Sequence, residues 1–312
     1  MPPPLFFVLK LIMKLTDVKF ESKFNGLILL KKVFYYLTKI YKSIFMDSGK
    51  EKLKNIFLEK VYGKTPNIEG YNKKHSGAKG HWLEKQMGKK PDSDNNADFW
   101  GWECKNHTTS GVTTWGDWTA NEYVFDKGNQ YNLKNKNDFL LLFARPNPEK
   151  NNRYAWTVPN PCPKFLNQIN DFGQIIVLDE YLNVMIKYHY SKDQRQNKSQ
   201  IIPKCLQKDD LVLAKWYGYE KYNNSTKSAL ETKVNNKFNQ EGWFKCAMED
   251  NKYNKILFGK AVDFETWIEF LKTGDVYFDS AMKQGNNRPY STWRSKNIVW
   301  DDLVIEEFPR DN

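Results

Sequence analysis

The 312-residue chain has little cysteine, only four histidines and few arginines against many lysines. Its cysteines, Cys104, Cys162, Cys205 and Cys246, are scattered, with no C-x-x-C pair and no Cys/His cluster at zinc spacing. That excludes a disulfide-stapled scaffold and a zinc module, and predicts reduced thiols in a cytoplasmic protein. There is no G-x-G-x-x-G, no P-loop and no G-x-S-x-G, so dinucleotide binding, P-loop phosphate binding and nucleophile-elbow hydrolysis have no signature. Long apolar runs are missing as well. Met1 to Met13 is apolar, but it is short and interrupted by Lys10, which speaks against a membrane span. No internal repeat is visible.

What the chain does have is positive charge and aromatic mass. The net charge of +11 suits a polyanionic partner without identifying it. Residues 1–45 carry eight lysines against two acids, so six of the eleven net charges precede Met46. The remainder is only mildly basic, and a DNA cleft there has to concentrate charge locally. Eleven tryptophans are expected mostly in the core, in a chain long enough for one sizeable core or two lobes.

A pass along the chain predicts a mixture of helices and strands. Residues 27–45 form a basic amphipathic helix candidate, which reads as a membrane-surface helix or a DNA-binding arm. The ordinary alternative is an upstream extension set by start-site choice, with Met46 opening the working protein. Residues 49–62 are predicted helical, with Leu53, Ile56, Phe57 and Val61 on one face. A polar loop follows to Gly80, with Lys64, Lys73, Lys74, His75 and Lys79 placed for phosphate contact or for plain solvation, and residues 81–87 are helical in composition. The apolar runs at 138–145, 153–158, 174–178 and 210–219 predict strands. Residues 226–240 and 263–272 predict helices, the second with Asp263 as N-cap. The polar stretch 192–200 reads as a lobe boundary or an exposed loop, and 285–296 as a basic loop.

The chemistry concentrates in Asp98-Phe99-Trp100-Gly101-Trp102-Glu103-Cys104-Lys105, which reads D-x4-E-x-K. Glu103 and Lys105 are two apart, so on a strand they share a face. Asp98 lies before the Gly101 turn, and a hairpin folds it back toward Glu103. Paired carboxylates hold Mg2+ beside a scissile phosphate, and a lysine orients or deprotonates the attacking water. The spacing alone also fits a surface hairpin with an ordinary ion pair, so its surroundings matter. Upstream, Glu84 sits on the helix leading into the hairpin, where a third acid binds metal or holds the lysine. Downstream, His107, Thr113, Thr114 and Trp115 supply groups that contact phosphates and groove edges. Arg288 and Arg294, six apart in a polar aromatic loop, are candidates for bidentate reading of guanine, with ion pairs to Asp301, Asp302 or Glu306 as the alternative. Lys215, Lys245 and Lys283 are candidates for phosphate contact.

These segments resemble the MvaI/BcnI type II restriction endonucleases, a MutH-like branch of the PD-(D/E)xK nucleases. The matching stretches are GAKGHWLEKQMG at 77–88, ADFWGWECKN at 97–106, TTWGDWTANEY at 113–123 and FDSAMKQGNNRPYSTWR at 278–294. The resemblance covers roughly 46–312. It implies an α/β (mixed α+β) fold with a restriction-endonuclease-like core sheet flanked by helices and a second, DNA-recognition lobe. The expected division is a basic extension at 1–45, a catalytic lobe at 46–195 and a recognition lobe at 196–312. The resemblance places metal ligation on Asp98, Glu103 and the Cys104 backbone carbonyl, the catalytic lysine on Lys105 and the helical acid on Glu84. It departs from the family at the Cys104 side chain, where an apolar residue is common, and in the N-terminal segment.

The reading is therefore a Mg2+-dependent type II restriction endonuclease cutting double-stranded DNA, with Mn2+ able to substitute and Ca2+ supporting binding only. The resemblance further implies a CC-x-GG-like pseudopalindrome, possible action as a monomer and a cognate DNA methyltransferase in the same system without direct contact. No membrane partner is expected. Two rivals are a MutH-like, partner-activated repair nickase and a non-catalytic DNA-binding protein. Since every nuclease-like segment follows Met46, a chain beginning there is expected to keep its site and rate of cleavage. It should bind nonspecific DNA less tightly at low salt, because fewer lysines displace counterions. Plasmid cleavage and salt-dependent binding by the shortened chain check this, and loss of cutting would make the N-terminal segment part of the enzyme.

Overall fold

Short strands bounded by turns alternate with helices that enter where an apolar face needs cover. The computed structural model describes residues 49–70, 78–89, 94–106, 111–126 and 128–309. The chain divides into two units, Met1–Lys52 and Leu53–Asn312. The reading of residues 1–45 lies outside the described residues, as do Lys73, Lys74, His75 and His107.

Helices α1 (Gly49–Lys60) and α2 (Ala78–Met87) precede strand β1 (Trp102–Asn106). Strands β2 (Val112–Asp117) and β3 (Glu122–Tyr123) lead to helix α3 (Lys136–Phe143). Strands β4 (Arg145–Asn147), β5 (Arg153–Trp156), β6 (Phe172–Leu178) and β7 (Val184–Asp193) follow. Then come helix α4 (Lys198–Ile201), strand β8 (Leu211–Trp216), helix α5 (Leu230–Phe238) and strands β9 (Gly242–Glu249) and β10 (Lys252–Gly259). Helix α6 (Phe264–Thr273) is followed by β11 (Tyr277–Asp279), β12 (Met282–Lys283), β13 (Thr292–Lys296), helix α7 (Asn297–Asp301) and β14 (Val304–Phe308).

The strands form four small sheets, ordered β1-β9-β10-β14, β11-β13-β2, β12-β5-β4 and β3-β8-β7-β6. The architecture is mixed α/β, as expected. In the first sheet β1 runs parallel to β9, with Glu103 opposite Trp243 and Lys105 opposite Lys245, and β10 and β14 continue it antiparallel. Leu53 and Phe57 of α1 and Leu83 and Met87 of α2 cover one face, against Trp102, Phe244, Ile256 and Phe258. The other face, with Trp243, joins a larger core that includes Phe238 and Trp300.

That parallel pairing runs across the expected boundary at 195/196. Strand β1, which carries Glu103 and Lys105 of the D-x4-E-x-K motif, lies in one sheet with β9, β10 and β14, all from beyond residue 196. A parallel neighbour requires a crossover rather than a hairpin, and here β2 to α5 fill it. The polar stretch 192–200 is tied in rather than dividing lobes. Buried Asp193 accepts from Tyr188 Oη at 2.7 Å and from Arg195 Nη2 at 2.7 Å.

Local corrections have local causes. The run at 138–145 is a helix: Asn135 caps it by accepting from the Asn137 and Asp138 amides, and Phe139, Leu140 and Phe143 bury one face while Leu141 stays exposed. Gly80 lies inside α2 rather than ending a loop, and residues 292–296 of the expected basic loop form β13. The helix at 263–272 forms as expected. Asp263 accepts from the Thr266 amide, Phe264, Trp267, Ile268 and Leu271 are buried, and Gly274 ends it left-handed at φ 83°.

Tryptophans build much of the interior. Trp115 and Trp300 lie 4.2 Å apart, Trp243 meets Trp300 edge-on at 5.1 Å, and Trp293 packs against Trp216 and Trp267. Backbone runs beside some of these rings at glycines. A Cβ on Gly259 would fall 1.9 Å from the Trp243 ring, whereas one on Gly80 meets only Asn106, at 3.6 Å. Gly259→Ala should therefore lose about 2 kcal/mol or more through overpacking. Gly80→Ala should gain about 0.5–1 kcal/mol from helix propensity. Urea unfolding of both variants measures the contrast, and equal midpoints would refute it.

Candidate active site

A two-residue turn shapes the hairpin. Trp100 and Gly101 both have positive φ, 48° and 89°, and Phe99 and Trp102 exchange backbone hydrogen bonds of 2.8 and 2.9 Å across them. The turn folds Asp98 back along β1, where its Oδ2 accepts from the Cys104 amide at 2.8 Å. β1 is an edge strand, with β9 on its other side. The Cys104 N–H therefore points off the free edge, and its carbonyl points the same way because both groups of one strand residue share a side.

Glu103 and Lys105 share a face, as their spacing predicts. Both are buried, at 3% and 7% exposure. Lys105 Nζ donates to Glu103 Oε1 at 2.9 Å and to the Trp115 carbonyl at 3.4 Å, and it lies 4.9 Å from the Phe238 ring centre. Burial pushes the Glu103 carboxyl above its ordinary value, with the Lys105 and Lys237 charges acting against that rise. Burial pushes the Lys105 ammonium down, with Glu103 opposing. Glu103 Oε2 is buried and accepts no hydrogen bond.

Glu84, on α2, is shifted upward by burial and then by the nearby Asp98 charge, with His81, Lys89 and Lys105 opposing. Among the described residues no three His, Cys, Asp or Glu side chains gather as a metal-binding group. The oxygen donors at hand are the Asp98 carboxylate, the orphaned Glu103 Oε2 and the Cys104 carbonyl. An all-oxygen set of this kind, with one buried carboxylate oxygen left unsatisfied, fits a hard divalent cation.

Two lysines stand at the acids without any motif to announce them. Lys237, on α5, places Nζ 3.2 Å from Glu103 Oε1, and Lys89, just past α2, ion-pairs with Asp98. No local signal separates either from the many other lysines of the chain.

The DNA-contact candidates divide. Trp115 is wholly buried, donates to Ser295 Oγ at 2.6 Å and packs against Trp300, so it is a core residue and not a base-stacking surface. Thr113 is buried and bonds Asn297 Oδ1 at 2.9 Å, while Thr114 is half-buried. Arg294 sits on β13 opposite Thr114 of β2, with Nε 2.7 Å from Asp279 Oδ2. Arg288 Nη2 pairs with Asp117 Oδ2 at 2.8 Å, Nη1 donates to Thr119 Oγ1 at 3.1 Å, and the guanidinium lies 4.5 Å from the Tyr290 ring centre. The partners are thus Asp117 and Asp279, not Asp301, Asp302 or Glu306. Both arginine side chains keep solvent access, at 49% and 34% exposure. Lys215, on β8, extends over Tyr217 at 4.2 Å, and Lys283 lies on β12 in another sheet. Lys245 is buried against Asp301, which argues against phosphate contact.

Comparison with known proteins adds family context. Residues 61–308 match the family model described as LlaMI restriction endonuclease. The chain is 44% identical over 271 residues to the type II restriction enzyme ScrFI of Lactococcus lactis subsp. cremoris, covering 84% of this chain and 99% of that protein. It is also similar to restriction endonuclease MvaI in complex with its cognate DNA, at 15% identity and TM-score 0.49 over 83% of this chain and 95% of that one. Against MvaI without DNA the values are 12% and 0.39, over 83% and 97%.

Helix α5 carries a further perturbed lysine. Burial, followed by the Lys227 charge, brings the Lys233 ammonium down to about 8, while Nζ donates to the Thr119 carbonyl at 3.3 Å. An unfolded lysine titrates near 10.4, so the unfolded chain binds more protons between those values and stability rises with pH there. The penalty is in full force below pH 8. Lys233→Met should stabilise the fold by about 1–3 kcal/mol at pH 7, and the gain should vanish near pH 10.5. Urea unfolding at both pH values tests it, and a difference independent of pH would refute the assignment.

Proposed function

This chain belongs to the LlaMI restriction endonuclease family and is a site-specific deoxyribonuclease, and we propose that it hydrolyses phosphodiester bonds of double-stranded DNA through Asp98, Glu103 and Lys105 with Mg2+ as its metal. The observations that carry this reading are the Asp98 carboxylate on the Cys104 amide, the buried and unsatisfied Glu103 Oε2, and Lys105 against Glu103, all on one hairpin.

Asp98, Glu103 and the Cys104 carbonyl would hold the cation. A divalent metal there supplies Lewis acidity toward the phosphate. The chain's own residues do the positioning. Glu103 fixes the Lys105 ammonium at 2.9 Å, leaving Nζ able to orient the attacking water and to offset charge that develops on the phosphate. Glu84, on α2, adds a further negative charge near Asp98 for the cation to offset, and the rings of Phe238 and Trp300 shield Lys105 from bulk solvent.

For recognition, Arg288 and Arg294 exchange their Asp117 and Asp279 partners for guanine O6 and N7. Thr114, Lys215, Lys283 and His107 contact the backbone. The site is a CC-x-GG-like pseudopalindrome, cut by a monomer in the cytoplasm and protected by a cognate methyltransferase. Among the described residues no helix is long and apolar enough to cross a membrane.

Digestion of a sequenced plasmid with Mg2+, followed by end mapping, tests the activity and defines the site. Asp98→Ala and Glu103→Ala should abolish cutting while specific binding in Ca2+ survives. A near wild-type rate for Glu103→Ala would sink the site assignment. Arg288→Ala and Arg294→Ala should each relax preference at one base pair by roughly 5- to 150-fold. Competition binding against single-substituted sites reads this out, and uniform weakening would demote both to backbone contacts.

A further inference from the structure

The nuclease site carries more positive charge than its motif requires. Lys105 and Lys237 meet the same oxygen, Glu103 Oε1, at 2.9 and 3.2 Å. Lys237 reaches this spot from the last turn of α5 with its side chain 17% exposed, so the contact is not a loose surface pair. On the other acid, Lys89 ion-pairs with Asp98. Each carboxylate assigned to the metal is thus already matched by a lysine from outside the motif.

Helix α5 is rigidly tied to the hairpin. The Ala97 amide donates to the Asn236 carbonyl at 3.1 Å, and Asn95 Nδ2 donates to the Lys233 carbonyl at 2.9 Å. The segment that delivers Asp98 and the lysine that meets Glu103 are therefore both anchored on one helix. Buried charge is tolerated only when paired, and Lys237 provides that pairing before any cation arrives. A dication coming to the same carboxylate then meets a resident ammonium, and like charges on a shared partner repel.

We propose that Lys237 is a positioning residue that holds Glu103 in the metal-free site and sets metal affinity by opposing the incoming dication. The proposal rests on the reading of Glu103 as a metal ligand. It is distinct from a purely structural role, which would make its removal weaken the site.

Calorimetric titration of the full chain with Mn2+, without DNA, tests it. Lys237→Met should bind Mn2+ about 5- to 50-fold more tightly than the unaltered protein, since one nearby positive charge is gone. Lys237→Gln should move the same way, and Lys237→Arg should stay near the unaltered value. Unchanged or weaker binding by the Met and Gln variants, with Glu103→Gln losing the metal, would overturn the role of Lys237 alone. Full Mn2+ binding by Glu103→Gln would instead remove the metal-site reading and the proposal with it. Loss of the fold in both neutral variants would assign Lys237 to the core and overturn the proposal as well.

Discussion

Glu103 is the constraint around which the rest is arranged. Its carboxylate is 3% exposed, on the end strand of a sheet whose face is otherwise lined with aromatic rings. An uncompensated charge at such a depth costs several kcal/mol, so its neighbourhood must supply cations in fixed positions. Lys105 comes from the same strand and Lys237 from a helix that enters just before β9. The parallel pairing of β1 with β9 is what puts that helix there.

The same pairing interleaves segments from the two halves of the chain. The chain leaves β1, builds β2 through α5 and returns at β9 beside its starting strand. β13, which carries Arg294, then pairs with β2, a few residues past Lys105. The arginines rest on Asp117 and Asp279, which satisfy their charge in the absence of DNA and leave about a third to a half of each side chain open to solvent. In the recognition role proposed for these arginines, a guanine edge would offer comparable hydrogen-bond acceptors and trade one paired arrangement for another.

Aromatic packing fills the core beneath these elements. Trp115, Trp243 and Trp300 make contact beneath the catalytic strand, and the Trp115 carbonyl is also a partner of Lys105. Trp115, expected at phosphates and groove edges from its place in the sequence, instead lies in the core beneath Lys105.

Local order was legible wherever the signal itself was local. A period of two put Glu103 and Lys105 on one face, Gly101 announced the turn that folds Asp98 back, and Asp263 capped its helix as expected. The run at 138–145 misled because its length resembled a buried strand, while the deciding signal was the Asn135 cap. The motif segments thus carried the resemblance to the family, and their spacing put two acids and a lysine on one hairpin. Only the tertiary structure decided that Lys237 and Lys89 meet those acids, that Arg288 and Arg294 rest on Asp117 and Asp279, and that Trp115 is core. Apart from Lys89 with Asp98, nine residues away, those contacts join more distant residues through strand pairings such as β1 with β9, β11 with β13 and β13 with β2. Pairing and register of that kind are set by burial of whole faces and not by any residue's neighbours in sequence.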